Sequence, residues 1–101
     1  MLLVYTTCKN KQELEKIASH LIKKKLIGCV NFFPITSLYK WKGKNVKDKE
    51  ICLLLKTQPK NFKKIQREIE RIHSYECPCI IAVNAKANKK YERWLKSETN
   101  A

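Results

Sequence analysis

Five cysteines and two histidines carry most of the coordination chemistry this chain could offer, and their spacing narrows it. Cys8 follows an apolar stretch and precedes Lys9-Asn10-Lys11. A thiolate there suits a soft ion such as Cu(I), and nearby lysines favour the deprotonated form. One thiol is one ligand, so metal binding at Cys8 needs a second donor from His73, Cys77, Cys79 or another copy of the chain. The plainer alternative is a corner thiol without a partner. His73 closes a helical stripe, where it either complements the helix dipole or joins a metal site with Cys8. Cys29 and Cys52 lie in apolar strands and read as small hydrophobes. The odd number of cysteines and the lack of a Cys-x-x-Cys pair argue against a zinc or disulfide framework. Cys77 and Cys79, on either side of Pro78, are too close to bridge without strain.

A second constellation joins Trp41, Lys56, Tyr75 and Glu76 with His73 in a ligand pocket at a boundary between copies. Aromatic walls with a few convergent polar groups describe many small-molecule sites. Lys56 would favour an anionic ligand, or it simply faces solvent at a strand end. Catalysis finds little support. There is no Ser-His-Asp spacing, and with only Gly28 and Gly43 no loop can cradle a phosphate. The chain reads as a non-enzyme without an organic cofactor.

The elements that must position these residues follow from periodicity. Leu2 to Thr7 is β-prone and reads as a first strand. Asn10 with Glu13 resembles a capping box, opening a helix whose apolar stripe is Leu14, Ile17, Ala18, Leu21 and Ile22. Gly28 is the expected stop. Cys29 to Trp41 is a second strand, with a bulge or bend expected at Pro34. Lys42-Gly43-Lys44-Asn45 is a turn, and the return strand runs from about Val46 to Thr57. Pro59 opens a second helix with Phe62, Ile65, Ile69 and Ile72 inward. A loop from His73 to Pro78 leads to a fourth strand, Cys79 to Val83, and a short helix with Tyr91, Trp94 and Leu95 on one face. The order βαββαβ predicts an α+β, ferredoxin-like split βαβ fold over 1–101 as one domain. Four antiparallel strands carry both main helices on one face, with a long hairpin between strands two and three and a short C-terminal helix.

The formal charge of +13 raises the question of nucleic acid. Among the basic residues lysine far outnumbers arginine, whose planar fork suits phosphates and bases. Lys23, Lys24 and Lys25 point in different directions around a helix. Strand three, Glu50-Ile51-Cys52-Leu53-Leu54-Leu55, lacks the aromatics an RNA-recognition module stacks on bases. Specific nucleic-acid binding is therefore not expected, and charge alone leaves non-specific association as a remote alternative. No apolar run approaches a membrane span, and Met1 to Cys8 lacks a basic leader. The expected setting is the cytoplasm, away from membranes. Strand two, at about 3.3 Å per residue, is on the order of 40 Å long and outreaches the helices that could cover it. Its apolar surface and open edges invite another copy.

The segment Cys29-Val30-Asn31, Pro34 through Lys44, Glu50 and Leu53-Leu54-Leu55-Lys56-Thr57 resembles the CutA family of divalent-cation tolerance proteins. His73-Ser74-Tyr75-Glu76-Cys77-Pro78 is similar to that family's His-Pro-Tyr-Glu-x-Pro loop, with Ser74 in place of proline, and Tyr91-Glu92-Arg93-Trp94-Leu95 also matches. The resemblance spans essentially the whole chain. It implies a ferredoxin-like homotrimer with long hairpins packed between subunits, and binding of copper or another divalent metal in a response to metal ions. It also implies that a cysteine at the position of Cys8 is a candidate copper ligand. The alternative is a small-ligand sensor or scaffold trimer that uses a pocket between subunits.

Overall fold

The computed structural model describes residues 1–100. Its elements are β1 (Leu2–Cys8), α1 (Lys11–Lys23), β2 (Cys29–Trp41), β3 (Lys44–Thr57), a 3-10 turn (Pro59–Asn61) running into α2 (Phe62–Ile72), β4 (Ile80–Asn84) and α3 (Lys89–Glu98). The strands form one antiparallel sheet in the order β2-β3-β1-β4. This is the α+β split βαβ arrangement that the element order predicts.

Alternation sorts the sheet into two faces. Leu2, Val4 and Cys8 of β1 join Leu53 and Leu55 of β3 in the core, packed with Leu14, Ile17 and Leu21 of α1 and Ile65 and Ile69 of α2. Each such side chain contributes about 1.5–3 kcal/mol when fully buried. The register puts Leu3, Tyr5 and Thr7 on the opposite face, beside Lys56, Leu54 and Cys52 of β3. Ile81 and Val83 extend that face through β4, and Phe33, Ile35, Tyr39 and Trp41 extend it through β2. The short α3 covers one end of it, where Leu95 is buried. Beyond α3, Phe33, Tyr39, Trp41, Ile81 and Val83 are exposed.

Several details differ from the sequence expectations. α1 does not end at Gly28. Lys25 adopts the left-handed conformation (φ 58°), and the Lys25 and Leu26 amides donate to the Ile22 and Leu21 carbonyls. That is a Schellman ending with lysine where glycine is usual. Gly28 answers a different demand, since a Cβ there would stand 2.6 Å from Leu95 Cδ1. Ile22 lies outside the buried stripe and is exposed. Pro34 makes no bulge, because β2 and β3 pair in unbroken register from Cys29↔Lys56 to Trp41↔Lys44. β2 is an edge strand, and counting back from Trp41↔Lys44 puts Pro34 at a non-hydrogen-bonded position, where its missing N–H costs no ladder bond. The turn is only Lys42-Gly43, both at positive φ (51° and 79°), as a type I′ hairpin requires. β3 therefore begins at Lys44, and β4 begins at Ile80, leaving Cys79 in the loop.

The two long strands make a ribbon that gives the molecule its 45 Å longest dimension against 24 and 21 Å across. Both of its sides carry apolar groups in the open. Phe32 and Leu38 are 54% and 76% exposed on the helix side, while Phe33, Tyr39 and Trp41 are exposed on the other.

Candidate functional site

The corner between β1 and α1 holds Cys8 and His73 in a closed hydrogen-bond system. Asn10 caps α1 by accepting from the Glu13 amide (2.9 Å), which turns the Glu13 carboxylate back over the corner. Its two oxygens accept from the Lys9 amide (3.1 Å) and the Ser74 amide (2.8 Å). Burial pushes the Glu13 carboxyl up, but the bonds from Ser74 and Lys9 outweigh it and hold the group below its ordinary value. The His73 side chain is fully buried. Its Nε2–H donates to the Thr7 carbonyl (2.7 Å), and its Nδ1 accepts from the Tyr75 amide (3.0 Å). Both ring nitrogens are therefore engaged within the protein. The Cys8 thiol is buried and points to the Asn10 carbonyl at 3.5 Å. Burial, aided by the Glu13 carboxylate, pushes it up to about 11.

These residues do not fit a resident metal. A ligand histidine needs a free lone pair, and His73 has none without breaking the loop that it pins. A ligand thiol must lose its proton, and Cys8 is placed where that loss is disfavoured. Among the described residues, no three His, Cys, Asp or Glu side chains form a ready metal cage. The structure places Cys8 and His73, the metal ligands expected from sequence, at this corner with their polar groups bonded inside the fold. His73 shapes the loop, and Cys8 packs in the core.

The other side of the sheet is different. A cavity of about 530 Å³ opens between β1, the tip half of the β2–β3 ribbon and the loop after α2. Aromatic walls come from Tyr5, Tyr39, Trp41 and Tyr75; carboxylates come from Glu50 and Glu76, and thiols from Cys77 and Cys79. Glu50 is buried and accepts from the Tyr75 hydroxyl (3.0 Å). Burial and that bond raise the Tyr75 phenol above its ordinary value. The Cys79 thiol is also raised, by burial and then by Glu50 and Cys77. Among the described residues no lysine, arginine or histidine lines the cavity, although the chain carries 22 Lys and Arg. Lys42 Nζ approaches Glu76 at 3.7 Å, with both groups largely exposed. A smaller cleft of about 320 Å³, lined by Lys24, Leu26, Lys64, Arg67 and Glu68, follows the overall charge instead.

Three of the four pocket residues named from sequence, Trp41, Tyr75 and Glu76, line this cavity. Lys56 does not. It lies toward the far end of the open face, its Nζ 5.5 Å from the Tyr91 ring centroid, and the anionic preference assigned through it falls with it. Sequence reasoning missed Glu50 as a site residue. Its place two residues before Cys52 and two after Asp48 on one strand face was the available signal, because both flank it on the side away from the core.

The model of the CutA1 divalent ion tolerance protein family matches residues 2–98. The chain is 37% identical over 93 residues to the divalent-cation tolerance protein CutA of Archaeoglobus fulgidus, covering 91% of each chain. It is 35% identical over 100 residues to that of Pyrococcus horikoshii, covering 98% of each. The crystal structure of CutA1 from Pyrococcus horikoshii superposes with a TM-score of 0.95, at 34% identity and over 98% of both chains. The structure of the periplasmic divalent cation tolerance protein CutA from Archaeoglobus fulgidus does so with a TM-score of 0.95, at 35% identity and over 98% of this chain and 99% of that one.

Proposed function

Because the chain belongs to the CutA1 divalent ion tolerance family, we propose that it acts in tolerance of divalent metal ions as a non-enzymatic, self-assembling protein that binds cations in its open-face cavity. The observation that carries this reading is the charge inversion. In a chain of net charge +13, the larger cavity presents two carboxylates and two thiols with no basic residue in its lining among those described, and Lys42 reaches only the exposed Glu76, at 3.7 Å. Carboxylates and thiolates are donors that copper and zinc accept, although here too no three of the described side chains stand as a ready cage.

Assembly is supported by the ribbon, whose two faces leave Phe32, Phe33, Leu38, Tyr39 and Trp41 in water. Such surface marks contact with another protein, and a second copy is the partner proposed here. The number three comes from the resemblance; the need for company comes from the ribbon. A neighbour against the open face would close the cavity, which gives the small-ligand alternative the same location. The five thiols are unpaired, which favours a reducing compartment and supports the cytoplasm as the place of action.

Equilibrium dialysis against Zn²⁺ tests the cavity. The double variant Glu50→Gln with Glu76→Gln should bind Zn²⁺ more weakly by about tenfold or more, on the scale of losses from altered metal surroundings. Equal binding by the variant and the parent overturns the reading. Light scattering on the same samples should give roughly three times the 11.9 kDa chain mass, and a mass of one chain would remove the assembly.

A further inference from the structure

The aromatic walls of the cavity have no part in metal binding, because a ring offers zinc no lone pair. Tyr5, Tyr39, Trp41 and Tyr75 line the same space as Glu50 and Glu76. The face of an aromatic ring is negative and its edge positive, so such walls attract a cation without coordinating it. Two of the phenols are prepared for this by their hydrogen bonds. Tyr39 donates to Asp48 (2.6 Å) and Tyr75 donates to Glu50 (3.0 Å). A phenol that donates to a carboxylate is polarised, which makes its ring more electron-rich. The chain also seats an ammonium of its own at the rim. Lys42 Nζ lies 5.9 Å from the Trp41 ring centroid, within the range of a cation–π contact, and 3.7 Å from a Glu76 carboxylate oxygen. Lys42 itself is largely exposed and does not line the cavity.

We infer that the cavity is an aromatic cage for a methylated organic ammonium ion, and that Lys42 competes with this guest for the Trp41 face and the Glu76 carboxylate. The inference rests on the reading of this cavity as a cation site, and it adds a class of cation that needs no coordination cage. That matters here, since no three His, Cys, Asp or Glu side chains among those described are grouped to hold a metal ion. A methylated ammonium has no N–H, so it gives up no hydrogen bonds when it leaves water. Its positive methyl groups pack against ring faces, while Glu50 and Glu76 supply the opposite charge. An anion would meet those carboxylates with no basic residue in the lining among those described. A volume of about 530 Å³ lies within the ordinary range of small-molecule sites. Lys42 at the rim shows the same pair of contacts on a smaller scale: one ring face and one carboxylate.

The test is a proton NMR titration of the full chain with tetramethylammonium, and with tert-butanol as a neutral probe of similar size. The parent should bind tetramethylammonium saturably, with its methyl signal moved upfield by the ring faces, and should leave tert-butanol unbound. Tyr39→Leu with Trp41→Leu should weaken the ammonium by about fivefold or more, the loss expected from two cation–π contacts. Both positions are exposed, and leucine keeps them apolar, so the ribbon retains its contact surface and loses only its ring faces. Lys42→Asn, a residue suited to the left-handed turn position, should bind the ammonium more tightly by about twofold. No binding by the parent, equal binding of tert-butanol, undiminished binding by the leucine pair, or Lys42→Asn no tighter than the parent overturns the inference. Zn²⁺ dialysis keeps the two readings apart, because the leucine pair should bind Zn²⁺ as the parent does. If tetramethylammonium does not bind while Glu50→Gln with Glu76→Gln weakens Zn²⁺, the cage falls and the metal reading stands. If the ammonium binds as described while the glutamine pair leaves Zn²⁺ unchanged, the metal reading falls alone.

Discussion

Two cysteine-bearing regions lie on opposite sides of one sheet, and they have opposite chemistry. On the core side, Cys8, Glu13 and His73 are turned toward backbone groups, and their polar atoms are engaged within the fold. On the open side, Glu50, Glu76, Cys77 and Cys79 face a cavity. The residue types are nearly the same: thiol, carboxylate, and an aromatic or imidazole ring. What separates the two regions is how much of this polar chemistry is already bonded inside the fold: at the corner Cys8, Glu13 and His73 all are, while in the cavity Glu50 accepts from Tyr75 and the Cys77 and Cys79 thiols donate to nothing among the described residues.

The largest effect that would break this contrast is at His73. Replacing it by alanine removes a fully buried ring and leaves the Thr7 carbonyl and the Tyr75 amide unpartnered, a cost of roughly 2–6 kcal/mol at about 1–3 kcal/mol per unsatisfied group. Chemical denaturation should register that loss, while Zn²⁺ bound per folded chain stays the same. A variant with parental stability and impaired metal binding would make the corner a site after all.

Glu13 sharpens the contrast at a smaller scale. Its carboxyl is held below the ordinary value of 4.5, so its contribution is fully present above that value and is lost as the pH falls through the depressed folded value. Glu13→Gln should therefore be less stable than the parent by about 1–3 kcal/mol at neutral pH, with the gap narrowing below pH 4.5. Denaturation midpoints across that window measure it. A gap that is constant with pH would mean that the Glu13 charge has no part in holding the Ser74 amide.

Much of the fold was legible because it is written in local pattern. The β-prone run before Cys8, the Asn10–Glu13 cap and the two apolar helical stripes all depend on neighbours within a turn or two. What was misread depends on distant partners. The real demand on Gly28 comes from Leu95, remote in sequence and packed against it in space. The tolerance of Pro34 depends on β2 being an edge strand, which only the sheet order reveals. The same holds for the site. Trp41, Tyr75 and Glu76 were found as residue types near one another in motif, but Lys56 was assigned to their pocket with no means of knowing how far along the sheet it would lie. Cys8 and His73 drew attention as possible ligands, and no reading of residue type could tell that Thr7, Asn10 and Tyr75 already occupied them.

The most direct measurement is the anomalous scattering of zinc in crystals equilibrated with Zn²⁺. The account predicts a peak in the open-face cavity, among Glu50, Glu76, Cys77 and Cys79, and none beside Cys8 or His73. A peak at the Cys8–His73 corner, with the cavity bare of metal, would contradict it.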